Sequence, residues 1–293
     1  EAYRAPRTAY GQPDLQGVWN TNFVLPLEAP ATGAPPLVLP EAEAREYVKE
    51  LGAAVRSLKA LALDPEVAEL SHVNEAAGLG VVKGQRRTRQ IVQPADGRLP
   101  ATPGARAQID FVERVLRTSD DAPFPTDGPE TRPNWERCLV GQGQPPVTIV
   151  TSINPRQILQ TRDAVVILSE YGPDLRIVPF ADKAERSARQ RPPPGDPIPR
   201  WEGETLVIET TGLPAKDTIR PLPTLLVPAS AKVIERFTRV SATELLYQYT
   251  VVEPRLYTQP WVAEYSLTRT SQPIYEFACH EGNYSLPNIL GGA

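Results

Sequence analysis

The sequence predicts a mainly β protein. Its core is an antiparallel meander that either closes into an up-and-down barrel or remains a strongly twisted sheet, with an N-terminal helical segment packed on it. Three observations predict this. Beyond Cys138, strand-like runs rich in β-branched and aromatic residues follow one another: Val147–Thr151, Gln157–Thr161, Ala164–Ser169, Leu175–Phe180, Thr205–Thr210, Val233–Val240, Leu245–Val252, Val262–Thr270 and Ile274–Cys279. Trp261 to Thr268 alternates apolar with polar residues, the pattern of a half-buried strand. No βαβ rhythm appears, which argues against a doubly wound fold. Residues 1–137 read as the extended and helical part and 138–293 as the β-meander, the two standing apart or integrated as one domain.

Along the chain, a polar entry segment ends in Pro13-Asp14-Leu15-Gln16-Gly17-Val18-Trp19-Asn20. Gly-x-Trp at this place resembles the first strand of lipocalin-type barrels, where the Trp packs across the barrel floor. An ordinary buried Trp is the other reading. Residues 26–40 are Pro-rich and predict an extended surface loop. From Glu41 to Leu63 the composition turns to Ala, Glu, Leu, Lys and Arg, with Val48, Leu51, Val55 and Leu58 at helical spacing. His72 follows alone and reads as a surface or capping residue. Arg89–Gln93 predicts a short strand and Pro94-Ala95-Asp96-Gly97 a turn. Thr102-Pro103 supplies the cap and first residue of a second helix, striped by Ile109, Val112 and Leu116. Residues 119–134 read as an acidic loop. Ser241 to Glu244 links two strands as a hairpin. Residues 181–200, with Arg186, Arg189 and Arg191, and residues 211–230 read as long insertions able to fold over one barrel mouth.

Several phrases together resemble a family of exported bacterial proteins without established activity. They are the Pro13 to Asn20 run, Ile91 to Pro100, Glu136-Arg137-Cys138, Arg200 to Val207, Glu235 to Val240 and Cys279 to Asn283. The resemblance spans nearly the whole chain and implies export. It also implies histidines near Gly172-Pro173-Asp174, near Asp182-Lys183 and before Val233, and this chain has none there. Any metal or proton chemistry those histidines serve in relatives is therefore not expected here.

Composition narrows the classes. The 293-residue chain carries a formal charge of -4, two Cys, two His and no Met. Its densest basic patch, Gln85 to Arg89, is too small for the many phosphate contacts of a nucleic-acid binder. No apolar stretch approaches the roughly 18 residues of a spanning helix. The start at Glu1 reads as a mature chain whose export signal has been removed, hence periplasmic or secreted; a chain trimmed for another reason looks the same. In an exported protein Cys138 and Cys279 are expected to form a disulfide. Closing so long a loop stabilises by roughly 4–5 kcal/mol in the chain-entropy model. Two unrelated buried thiols are the alternative.

Most of the scarce reactive chemistry sits in Cys279-His280-Glu281. His280-Glu281 lacks the second His of a metalloprotease helix, and two Cys and two His cannot cluster as structural zinc. There is no Gly-x-Ser-x-Gly elbow, and strand neighbours Cys279 and His280 point to opposite faces. No Gly-rich turn for a nucleotide cofactor appears. General acid–base work remains, with His280 moving a proton, Glu281 as partner and Tyr284 as phenol donor. The bland reading is that His280 and Glu281 tie down the C-terminal segment. Trp201, Arg236, Tyr247, Tyr249 and Trp261 are the candidate ligand-lining residues, with Arg236 turned inward; plain core is the alternative for the aromatics. Two functions are expected. One is an exported protein that binds a small, largely apolar molecule, with lyase, isomerase or cyclase turnover. The other is a non-catalytic subunit of an extracytoplasmic assembly that contacts protein partners through its Pro-rich segments.

Overall fold

The structure is a computed structural model that describes residues 3–21, 23–59, 78–118, 127–132, 137–139, 143–149, 155–170, 174–180, 195–215, 218–221 and 224–291. Its elements run β1 (Gly17–Asn20), β2 (Val38–Leu39), α1 (Glu41–Lys59), β3 (Val81–Val82), β4 (Gln85–Arg87), β5 (Ile91–Gln93), α2 (Pro103–Thr118), β6 (Arg156–Gln160), β7 (Ala164–Ser169) and β8 (Asp174–Pro179). They continue with β9 (Asp196–Glu202), β10 (Thr205–Thr211), β11 (Ile219–Pro221), β12 (Thr224–Leu226), β13 (Lys232–Arg239), β14 (Glu244–Val252), β15 (Trp261–Thr270) and α3 (Ser285–Gly291).

One large antiparallel sheet dominates, in the order β8-β7-β6-β1-β15-β14-β13-β10-β9, with β5 added on β15. Two meanders, β6 to β8 and β13 to β15, are thus joined by the N-terminal strand β1, which pairs with β15 on one side and β6 on the other. Alternation sets the faces. On β13, Val233, Glu235, Phe237 and Arg239 point in while Lys232, Ile234, Arg236 and Thr238 are more exposed. Phe237, Tyr247 and Tyr265 stand opposite one another on β13, β14 and β15 and make one aromatic row, with ring centroids 4.9 and 5.1 Å apart.

The sheet is strongly curled. Cα atoms of its end strands, β8 and β9, come within 8 Å of each other, but no hydrogen-bonded ladder joins them among the described residues. The backbone therefore forms a curled antiparallel sheet without a closed hydrogen-bonded cycle. β9 carries Pro197 and Pro199, which cannot donate to a ladder and belong on an edge strand. No helix is long and apolar enough to cross a membrane among the described residues.

Several expected elements are present. Thr102 Oγ1 accepts the Ala105 N–H at 3.3 Å as the cap of α2, whose Ala105, Ile109 and Val112 are buried. The turn after β5 places Gly97 at a φ of 71°, and a Cβ there would collide with the Arg89 side chain at 1.8 Å, so only glycine fits. The helix expected to Leu63 is seen to Lys59; His72 and the 181–194 segment with its arginines lie outside the described residues. Four expectations are corrected. Asp196–Glu202, read as insertion, pairs with β10 as a hairpin through Gly203-Glu204. Within 211–230, β11 and β12 form a small hairpin with Leu225 and Leu226 fully buried. Ile274–Cys279 is no strand, because both sides of β15 are already occupied, by β14 and by β1 and β5. Val147 to Ile149 is irregular and buried, for reasons given below.

Trp19 is fully buried on β1, and its Nε1–H donates to the Leu15 carbonyl at 2.9 Å. The guanidinium groups of Arg239 and Arg269 lie 5.8 and 5.9 Å from its ring. Trp19→Ala is expected to cost about 3–5 kcal/mol, through the cavity left where the two meanders join. Urea unfolding followed by circular dichroism measures it; a loss below about 1 kcal/mol contradicts this role for β1.

Candidate functional site

The strict alternation of β13 places one carboxylate, Glu235, on the inward face between Val233 and Phe237. It is fully buried. Arg176, on β8 at the far end of the strand order, reaches across the curl and binds it with two hydrogen bonds, at 3.0 and 2.5 Å. The fork of a guanidinium matches a carboxylate in this bidentate way. The Tyr247 hydroxyl on β14 donates to Glu235 Oε1 at 2.8 Å and accepts the Val147 N–H at 2.9 Å. The Tyr265 hydroxyl on β15 donates to the Val147 carbonyl at 2.8 Å.

Both sides of the Val147 residue are thus held by phenols, inside the sheet. Residues 143–149 are all buried. Arg220, on β11, donates to the Gln144, Pro145 and Pro146 carbonyls at 2.8–3.0 Å. The expected Val147–Thr151 strand is corrected over Val147 to Ile149, its last two residues lying outside the described ones: Pro145 and Pro146 have no N–H to enter a ladder, and side chains take the place of a neighbouring strand. The segment is a plug.

Burial, more than the nearby Glu235 charge, raises the Tyr247 pKa well above the ordinary phenol range. Burial likewise raises Tyr249 and Tyr257. Tyr265 is pushed up to about 12 by burial, with the Arg156 charge opposing the rise. At neutral pH these groups are neutral phenols, and the Tyr247 and Tyr265 protons are committed to partners. The chemistry of the cluster is cohesion of a polar interior, with Glu235, Arg176 and both phenols satisfied by each other and by the plug.

The residues singled out in the sequence fall in three places. Tyr247, Tyr249 and Trp261 are packed in the interior, at most 1 % exposed. Tyr247 borders a cavity that measures about 10 Å³ and is also lined by Trp19, Val147, Arg156 and Tyr265. Ligand pockets run to roughly 300–1,000 Å³, so no small organic molecule has room there. Trp201 on β9 is partly buried against the core. Arg236 was expected to face inward and instead faces out, bonded to Glu202 at 2.7 Å; β13 phases Glu235 inward, so its neighbour must face solvent.

His280, Glu281 and Tyr284 lie exposed on the C-terminal segment. Cys279 forms the disulfide with Cys138 across 141 positions. His280 Nε2 is 3.1 Å from the Cys138 carbonyl, and Asn283 Nδ2 donates to the Cys138 sulfur at 3.3 Å. The arrangement fastens the tail around the disulfide and does not bring His280 to the interior tyrosines.

Sequence reading missed Glu235, Arg176 and Arg156. The signal for Glu235 was its phase with Val233 and Phe237. Arg176 likewise shares its phase with the buried Val178 on β8.

Glu235→Gln is expected to cost about 3–5 kcal/mol, because it removes the charge that faces buried Arg176. Pairing it with Arg176→Met should recover part of that loss; equal urea midpoints for single and double variants contradict the coupling. A second prediction concerns alkali. A phenol whose folded pKa lies above its unfolded value near 10 stabilises the fold fully below pH 10. That stability is lost as pH rises through the folded value, about 12 for Tyr265. Phenolate absorbance from Tyr247, Tyr249, Tyr257 and Tyr265 should therefore appear only as circular dichroism reports unfolding. Ionisation of all ten tyrosines in the folded protein contradicts this. No family model, curated protein or solved structure matches the chain.

Proposed function

We propose that this protein is a non-catalytic subunit of an extracytoplasmic assembly and docks to a second protein through the outer face of β6, β7 and β8. One observation carries the reading. Leu159 on β6 and Leu175 and Ile177 on β8 are 46–55 % exposed. Register makes them contiguous: Leu159 faces Val166, which faces Ile177, and Leu168 faces Leu175. Ile198 on the neighbouring β9 is also exposed. An apolar patch of this kind on an otherwise ordinary surface fits protein contact. The formal charge of -4 favours a protein partner over an anionic lipid surface.

The disulfide supports a location outside the cytoplasm, since such bonds persist in oxidising compartments. The approach of β8 to β9, together with the Arg176–Glu235 pair across the curl, supports reading the sheet as a barrel. The reading as a binder of a small apolar molecule, with His280, Glu281 and Tyr284 as acid–base groups, has less support. The cavity beside Tyr247 measures only about 10 Å³, and the three acid–base candidates are at the surface.

Native mass spectrometry of protein taken without reductant from its own compartment tests the proposal. The wild type is expected to carry a second polypeptide, and the Leu175→Glu, Ile177→Glu double variant to fly as the bare 32.2 kDa chain with unchanged circular dichroism. A wild type that is bare, or that carries an adduct of a few hundred daltons instead of a polypeptide, overturns it.

A further inference from the structure

The interior holds a second arginine whose position the polar cluster does not explain. Arg156 on β6 stands opposite Trp19 of β1 and Ser169 of β7. It is 4 % exposed. Its Nε, Nη1 and Nη2 are each buried and without a hydrogen-bond partner among the described residues. A guanidinium has five N–H donors and stays charged at any pH a protein meets. An unpaired buried charge of this kind is strongly unfavourable, and buried charges are as a rule paired or otherwise compensated.

Nothing in the surrounding cluster compensates it. Glu235 is committed to Arg176. Tyr265, whose phenol lies near the Arg156 charge, commits its own proton to the Val147 carbonyl and is a neutral group that brings no compensating charge. Counting full charges in this cluster, Arg156 and Arg176 against Glu235 leave one positive charge. The Ser169 hydroxyl, next to Arg156 in register, is also buried and unpartnered.

Arg156 is one of the residues lining the cavity of about 10 Å³ between Trp19, Val147, Tyr247 and Tyr265. That volume admits one particle of about the size of a water molecule. Carboxylate, sulfate and phosphate groups are too large. The walls are otherwise aromatic and aliphatic, which favours a weakly hydrated ion over one that keeps its water shell. We propose that Arg156 anchors a buried site for one small monovalent anion of halide size, such as chloride, and that this ion neutralises the interior.

The test uses the intact, disulfide-bonded chain. Bromide is the probe, in crystals grown or soaked in sodium bromide, with chloride-35 NMR line broadening in solution. The expected result is an anomalous bromide peak within hydrogen-bonding distance of the Arg156 guanidinium. Saturable chloride broadening should accompany it, competed by bromide and weakened about tenfold or more in Arg156→Met. Arg156→Lys keeps the charge and should retain part of the binding. If neither variant folds, the wild-type peak and saturation decide alone. Water with no anomalous signal at Arg156 overturns the site, as does chloride broadening that never saturates, or that persists unchanged in a folded Arg156→Met. None of these outcomes bears on docking at β6 to β8.

Discussion

The structure depends on the backbone ladder that β1 makes on both of its edges. Val18, Trp19 and Asn20 pair with Thr270, Arg269 and Thr268 of β15, while Gly17, Val18 and Trp19 pair with Ile158, Gln157 and Arg156 of β6. Without this strand, β6 to β8 and β13 to β15 are two separate meanders, each with a raw edge. Trp19 adds side-chain packing to the same junction, lining one small cavity together with Ile158, Phe237 and Leu267. Among the described residues, the chain therefore places one of its two fully buried tryptophans on a strand of only four residues.

The interior that this junction encloses is not a plain hydrocarbon core. Aromatic rings from β13, β14 and β15 fill most of it. The end strand β8 is linked through charge to the interior strand β13, by Arg176 reaching Glu235. Desolvating two ions is costly, and their attraction offsets that only when the remaining donors and acceptors are used. Here Tyr247 uses Glu235 and Val147 together, and Tyr265 uses the other side of Val147. Cohesion of the curl and placement of the plug are thus one network, so damage at Glu235 should be felt at residues 143–149 as well.

Much of the architecture was legible because strand alternation and helix capping are local. β7 was readable to the residue, β6, β8, β10, β13, β14 and β15 to within one residue at each end, and α2 from Thr102-Pro103. The disulfide was readable as a lone pair. What escaped was partnership. Nothing local to Gly17–Asn20 says that it sits between β6 and β15, and nothing local to Asp196–Glu202 distinguishes a proline-bearing edge strand from a loop. Arg236 was assigned the wrong face because only the register of Phe237 with Tyr247 fixes which half of the alternation points in. The polar interior escaped for the same reason. Glu235 and Arg176 are far apart in sequence, and a curl, not a motif, brings them together.

That the first and last strands are partners has a consequence for biosynthesis. Residues near 18 must wait for residues near 270 before their hydrogen bonds can form. Contact order at this junction is close to its maximum for the chain, and loop-closure entropy is spent before any reward arrives. An emerging polypeptide therefore cannot complete the sheet vectorially. The hairpins β6–β7 and β13–β14 can form as they emerge, but the ladder that joins the two halves of the sheet is made only when β15 arrives.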